Sequence, residues 1–166
     1  MSGKAVFGPA FARGFSKAWL AGEMDAAQLT MRAPEMLARK QIERTLDALG
    51  VRYVGSVNGR QAWTELEKLA SYAASSGRKV KDMVALVLTD VEMPEMDGYI
   101  LTKKIKTDPR FDGVPVIMHS SLSGMSNQQL GRSVGVDEYV AKFEPQRLAE
   151  VLRRLITQHA ATVKAN

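Results

Sequence analysis

The chain has 166 residues, of which 45% are hydrophobic and 25% charged, as in ordinary globular domains. It contains no cysteine, which excludes disulfide bonds and thiolate metal sites. The net charge of +5 is spread along the chain without the aromatic or helix-turn-helix context of a nucleic-acid binder. No apolar run reaches the about 20 residues needed to span a bilayer. These features predict a cytoplasmic protein that neither binds nucleic acid nor inserts into a membrane.

The chain begins with an atypical segment, residues 1–33, which is rich in alanine, glycine, phenylalanine and arginine. A strand is expected just before Pro34, and the only candidate is the short, weakly apolar run 28–32. The first strand therefore either lies over Leu29–Arg32 or is missing.

From Pro34 onward helical and strand patterns alternate, and residues 34–158 are predicted to form one domain followed by a tail, 159–166. Pro34 suits the first turn of a helix and Gly50 its end. The later elements, in order, are a strand Val51–Val57, a helix of about Arg60–Ala74, a strand Ala85–Thr89, a helix of about Tyr99–Thr107, a strand Val114–Met118, a helix of about Gln128–Val134, a strand Glu138–Phe143 and a helix Pro145–Ile156.

Two of these strands, Ala85–Thr89 and Val114–Met118, are apolar throughout. Such runs are typical of strands buried on both faces of a parallel sheet. Strands that alternate with helices predict βαβ units with right-handed crossovers, and hence an α/β fold. In such folds the ligand site lies beyond the carboxyl ends of the strands.

Three polar residues stand at or near those ends: Asp90, Ser120 and Lys142. An aspartate can accept a phosphoryl group, a lysine can offset the phosphoryl charge, and a hydroxyl can bond a phosphoryl oxygen. Each residue alone has an ordinary explanation as a helix cap, a turn residue or a surface cation. Their joint placement favours a phosphoryl-acceptor site.

The acceptor segment TDVEMPEMDG, Thr89–Gly98, resembles the phosphoacceptor loop of bacterial response-regulator receiver domains. The segment Pro115–Ser121 is similar to their fourth strand, and Tyr139–Lys142 to their fifth. Within that family, MHSSLSG at Met118–Gly124 and Phe143 after the lysine resemble the receivers of CheV chemotaxis proteins. The resemblance runs from about Ala38 to Ile156.

The resemblance implies a flavodoxin-like, doubly wound parallel sheet of five strands in the order 2-1-3-4-5, with an atypical first strand. It also implies roles for individual residues, and magnesium as the cofactor. These are Asp90 as phosphoacceptor and metal ligand, Ser120 as switch hydroxyl, Lys142 as cation, Tyr139 as aromatic switch and the Glu92 backbone carbonyl as a metal ligand. His119 neighbours the site and is expected to pack rather than react.

The sequence departs from the family where receivers place two acidic residues at the end of the first strand. Aligned backward from the first helix, those positions fall on Ala33 and Pro34, which offer no side-chain oxygen. Glu35 is adjacent and could supply one ligand, as could Glu23 or Asp25 if the opening segment folds back. Magnesium binding is therefore expected to be weak or absent.

The preferred hypothesis is a CheV-like receiver in chemotaxis or a related two-component pathway. It would act as an interaction module with a degenerate magnesium site, not as an enzyme, and its partners would be a histidine kinase and chemotaxis signalling proteins. The alternative is a competent phosphoacceptor that takes phosphate from the kinase. A weaker alternative is a nucleic-acid regulator, although no output domain follows Asn166. CheV proteins carry a coupling domain before the receiver, and 33 residues are too few for one.

Overall fold

The computed structural model describes residues 4–7, 40–56, 58–93, 95–121, 124–142 and 144–165. Strands and helices alternate along the chain, with one additional short helix before the third strand. They are β1 (Lys4–Phe7), α1 (40–48), β2 (Arg52–Gly55), α2 (Gly59–Ser75), α3 (Val80–Met83), β3 (Val84–Thr89), α4 (Gly98–Thr107), a 3-10 turn (Pro109–Phe111), β4 (Val116–Ser120), α5 (Met125–Ser133), β5 (Glu138–Ala141) and α6 (Pro145–Ala165).

The strands form one parallel sheet in the order β2-β1-β3-β4-β5. Thr89 pairs with Met118, and Ser120 pairs with Ala141, so β3, β4 and β5 end at the same edge of the sheet. All six residues of β3 are buried. A strand buried on both faces belongs to a sheet covered by helices on both sides, and the predicted α/β class is confirmed.

The position of the first strand differs from the prediction. Lys4–Phe7 lies between β2 and β3 and pairs with both, whereas the predicted strand, 29–32, lies outside the described residues. The prediction was wrong because it assumed that the first strand lies directly before α1 in the sequence. The run Ala5-Val6-Phe7 has the β-branched and aromatic residues that favour strands, but four residues are too few to stand out from a sequence.

The core has two parts, one on each face of the sheet. On one face, α1 and α6 pack on β3 through Ile42, Leu46, Leu152 and Leu88. On the other face, α2 and α4 pack on the sheet through buried residues that include Leu66, Leu101 and Val87, together with Phe111 of the 3-10 turn. Leu88 and its neighbour Val87 face opposite sides, as the alternation of a strand requires.

The last helix is longer than predicted. It continues past Ile156 to Ala165 and so includes most of the predicted tail. His159 on this extension hydrogen-bonds through Nε2 to the backbone carbonyl of Lys81, at 2.9 Å. None of the helices within the described ranges has the length and apolar character needed to cross a membrane.

Candidate functional site

Asp90 and Lys142 form a direct ion pair at the carboxyl edge of the sheet. Asp90 follows β3 and Lys142 follows β5, with β4 between them. Nζ of Lys142 lies 2.5 Å from Oδ2 of Asp90, and only 12% and 3% of the two side chains are exposed. Because the pair is largely shielded from water, each charge depends on the other for its stabilisation.

The second oxygen of the Asp90 carboxylate binds the backbone of the loop that follows. Oδ1 accepts hydrogen bonds from the amides of Val91, at 2.6 Å, and Glu92, at 3.3 Å. Both carboxylate oxygens therefore have polar or charged partners, which fix the orientation of the carboxylate. The carboxylate is therefore held in one orientation at the edge of the sheet.

The acceptor loop closes against the backbone of Asp90 through Gly98, the first residue of α4. A Cβ atom at this position would overlap the carbonyl oxygen of Asp90, so only glycine fits. The Gly98 amide donates to the carbonyl of Val91, at 3.0 Å. Asp97 caps α4 by accepting from the amide of Ile100, at 2.8 Å. Together these contacts fix both ends of the loop.

Helix α2 supports the same loop from a second direction. A Cβ at Gly59, the first residue of α2, would overlap the carbonyl oxygen of Met96. Glu95, beside it in the loop, has a φ of 66°, in the left-handed region that residues other than glycine rarely adopt. Helix α2 therefore packs tightly on the loop at Met96, beside the strained backbone of Glu95.

Ser120 and His119 end β4 beside the ion pair, and both are buried. The Ser120 carbonyl accepts from the amide of Lys142, at 2.9 Å, which ties the end of β4 to the residue that carries the ammonium. Burial, followed by the charge of Lys142, lowers the pKa of His119 to about 3. The imidazole is therefore neutral at neutral pH, as a packing residue beside a cation should be.

Tyr139 on β5 is half-buried and faces α5. A Cβ at Gly131 would lie 3.2 Å from its ring, so the missing side chain makes room for the tyrosine. Burial, followed by the charge of Tyr139 and a hydrogen bond to it, raises the pKa of Tyr99. Tyr99 also donates to the carbonyl of Asn127, at 3.2 Å. Tyr99 was not predicted as a site residue from the sequence. The only pattern that could have indicated it is its position directly after the Asp97-Gly98 turn.

The described residues do not fit a magnesium ion. Within them, no group of three or more histidine, cysteine, aspartate or glutamate side chains could hold a metal. Magnesium requires an octahedral set of oxygens, and here a lysine ammonium contacts Oδ2 of Asp90. Glu92 meets Asp90 through its backbone amide, while Glu35 lies outside the described residues, as do Glu23 and Asp25.

Comparisons with known proteins agree with this geometry. A sequence model of the response regulator receiver domain matches residues 35–153. The Helicobacter pylori chemotaxis protein CheV1 is 31% identical over 117 residues, which is 70% of this chain and 34% of CheV1. Chemotaxis protein CheY1 of the same organism is 35% identical over 116 residues, 69% of this chain and 84% of CheY1.

Among solved structures, the receiver domain of the sensor histidine kinase PA1611 from Pseudomonas aeruginosa matches with a TM-score of 0.55 and 18% identity. The match covers 95% of this chain and 99% of that domain, whose active-site cleft holds a magnesium ion. At this identity the likeness shows the fold alone.

The chain spans about a third of the length of the CheV relatives that it matches, but most of the length of CheY1. The family match, over residues 35–153, covers the segment that carries the Asp90–Lys142 pair. The chain belongs to the response regulator receiver domain family, with chemotaxis proteins of the CheV and CheY types among its relatives.

Proposed function

We propose that this chain is a CheV-like receiver of cytoplasmic chemotaxis signalling that acts as an interaction module, with β1 and residues 34–158 forming the receiver domain. Asp90 occupies the phosphoacceptor position, with a degenerate magnesium site beside it. The observation that carries the proposal is the direct contact between Lys142 Nζ and Asp90 Oδ2.

This contact makes phosphorylation of Asp90 slow. For transfer, a carboxylate oxygen forms a bond to phosphorus while the bond from phosphorus to the donor atom breaks, an oxygen in acetyl phosphate or a nitrogen in a phosphohistidine, and the donor leaves with that electron pair. The reaction depends on neutralising the phosphoryl charge. In the described part of the chain Lys142 is the cation at Asp90, and it must leave the carboxylate to serve the phosphoryl oxygens. Loss of one placed electrostatic group costs about 10²–10³ in rate in other enzymes.

The interaction surface that we propose lies around the third to fifth strands and their helices. Apolar side chains are exposed on this side of the domain: Met125 is 78% exposed, and Leu130 and Ile100 are about half exposed. Tyr99 of α4 donates a hydrogen bond to the Asn127 carbonyl of α5, and Tyr139 of β5 lies beside Gly131 of α5. Exposed apolar residues beside half-buried aromatic residues favour a protein partner, and we propose a histidine kinase or another chemotaxis protein.

The alternative function is a competent phosphoacceptor that takes phosphate from a histidine kinase. The fixed orientation of Asp90, with the buried hydroxyl residue Ser120 and Lys142 at the same edge, favours it. In this alternative, Glu35, adjacent to the acidic positions of the family, completes a magnesium site with the two ligands that the family pattern suggests, the Asp90 carboxylate and the Glu92 carbonyl.

Acetyl phosphate labelling distinguishes the two functions. The full chain is incubated with acetyl phosphate and magnesium, and intact mass is followed with Asp90→Asn as the control for the site. We expect little labelling, and we expect Asp90→Asn to leave partner binding nearly unchanged. Stoichiometric labelling at Asp90 within minutes would reject the degenerate site and establish the alternative.

A further inference from the structure

A pocket of about 330 Å³ lies at the end of the sheet opposite to Asp90. It is bounded by the end of α2, by α3 and by the 3-10 turn, and α3 leads directly into the start of β3. Because β3 has six residues at about 3.3 Å each, the pocket is about 20 Å from Asp90. It is therefore separate from the acceptor site.

The floor of the pocket is apolar and its rim is basic. Ala70, Ala73 and Val80 are buried residues that line it. The lining also includes four cations and one carboxylate: Arg78, Lys79, Lys81, Arg110 and Asp112.

Of the four cations in the described lining, one is ion-paired and three are not, although Asp112 also lines the pocket. Arg110 is bound by Asp108, with 2.6 Å between Nη2 and Oδ2. Among the described residues, Arg78, Lys79 and Lys81 form no ion pair. Three like charges this close in sequence repel one another, so an anionic partner would relieve the repulsion.

Lys81 is also held in place at two points. Its aliphatic chain lies against Gly113, where a Cβ would be 3.0 Å from the Lys81 Cδ. Its backbone carbonyl accepts the hydrogen bond from His159 of α6. A cation whose stem is packed and whose head is exposed loses less freedom when it binds an anion than a mobile surface lysine does.

We propose that this basic pocket docks an acidic, partly apolar segment of a partner protein. An apolar side chain of the partner would fill the alanine-lined floor, and flanking carboxylates would pair with Arg78, Lys79 and Lys81. A nucleotide fits less well because the described lining residues include no aromatic ring on which a base could stack. The basic rim and apolar floor therefore favour an acidic peptide with apolar side chains. We expect this docking to be independent of phosphorylation at Asp90.

The test uses the full chain and a fluorescent nine-residue peptide that repeats Leu-Glu-Glu three times. Fluorescence anisotropy measures binding to the unmodified protein and to the triple variant Arg78→Glu, Lys79→Glu, Lys81→Glu. Three lost rim pairs should weaken binding by at least about tenfold. The matched control is Lys40→Glu, Arg44→Glu, Arg60→Glu, which changes net charge equally at exposed positions outside the pocket and outside the interaction surface proposed above. Circular dichroism verifies that both variants fold.

Binding that is weakened by the pocket variant and retained by the control and by Asp90→Asn supports the proposal. Equal loss in the pocket variant and the control would overturn it, since only net charge would then matter. Failure of the peptide to bind would also overturn it. Binding of pyrophosphate or ATP, without peptide binding, would show a small-anion site instead. A peptide with glutamine in place of glutamate should bind at least about tenfold more weakly.

Discussion

The ammonium of Lys142 contacts Oδ2 of Asp90 at 2.5 Å, although 52 residues of chain separate the two. Removing one member of a shielded pair leaves a buried charge without its partner. We expect Lys142→Met to lower the free energy of unfolding by about 3 kcal/mol, and Asp90→Asn in the same chain to recover part of the loss. Urea unfolding of the single and double variants measures both effects.

The control for this experiment is Lys68→Met, which removes an ion pair with Glu65 at a similar distance of 2.7 Å. Lys68 is 67% exposed, so its loss should change stability by no more than about 0.5 kcal/mol. Equal effects of the two lysine substitutions would contradict the view that burial makes the Asp90–Lys142 pair important.

Magnesium binding tests the proposed degenerate metal site and the position of its acidic residues in the sequence. Isothermal titration calorimetry of the unmodified protein should show weak binding or none, because few oxygen ligands face Asp90 in the described residues. Alignment from α1 places the acidic positions at Ala33 and Pro34, whereas the end of β1 at Phe7 places them at Gly8 and Pro9.

The two assignments are compared by substituting aspartate at both members of each pair, Ala33 with Pro34 or Gly8 with Pro9. Since β1 lies beside β3 in the sheet, we expect the Gly8→Asp, Pro9→Asp variant to gain affinity for magnesium. A gain from the Ala33→Asp, Pro34→Asp variant alone would show that the alignment from α1 is correct. Tight binding by the unmodified protein would contradict the degenerate site.

The neutral imidazole of His119 should make the fold sensitive to acid. Its pKa is about 3 in the folded protein, against about 6.5 in an unfolded chain. The unfolded state therefore binds a proton that the folded state does not, and stability falls as pH decreases from about 6.5 toward 3. The slope from this one group is at most about 1.4 kcal/mol per pH unit.

His119→Met removes the titrating group and keeps an apolar side chain in the core, so the decline of stability below pH 6.5 should become shallower. Urea midpoints at several pH values between 7 and 4 measure the slope. The comparison is His159→Gln, which removes the only other histidine. The same change of slope in both variants would contradict the assignment to His119.

The left-handed conformation of Glu95, with φ at 66°, destabilises the acceptor loop. Glu95→Gly removes the steric conflict and should raise the free energy of unfolding by about 1 kcal/mol, an effect that thermal or urea unfolding can measure. Glu95→Ala keeps a Cβ and should give no such gain. If alanine stabilised the protein as much as glycine, the effect would come from the lost carboxylate and not from the backbone.

Much of the architecture could be predicted because it depends on local patterns. The apolar runs before Asp90 and around Ile117 form strands whose side chains are buried on both faces, and such runs are typical of strands in a parallel sheet. Gly50, with φ at 65°, ends α1 where the pattern placed a stop.

The first strand could not be located in this way. Four residues carry too little pattern, and the partners that stabilise β1 are β2 and β3, more than 40 residues away in the sequence. The extension of α6 to Ala165 was also missed. The first part of α6 packs on the sheet, while the extension contacts the carbonyl of Lys81 through His159, and no local sequence pattern predicts that contact.

The sequence by itself determined that Asp90, Ser120 and Lys142 follow the ends of parallel strands, since strand periodicity and the direction of each crossover are local properties. Only the tertiary structure decided that Lys142 contacts Asp90 directly and that Tyr99 meets Tyr139. It also brought Arg78, Lys79 and Lys81 around one pocket with Pro109. These relationships depend on side-chain directions and on distances between segments far apart in the chain. Tertiary packing determines both, whereas the spacing of residues in the sequence does not.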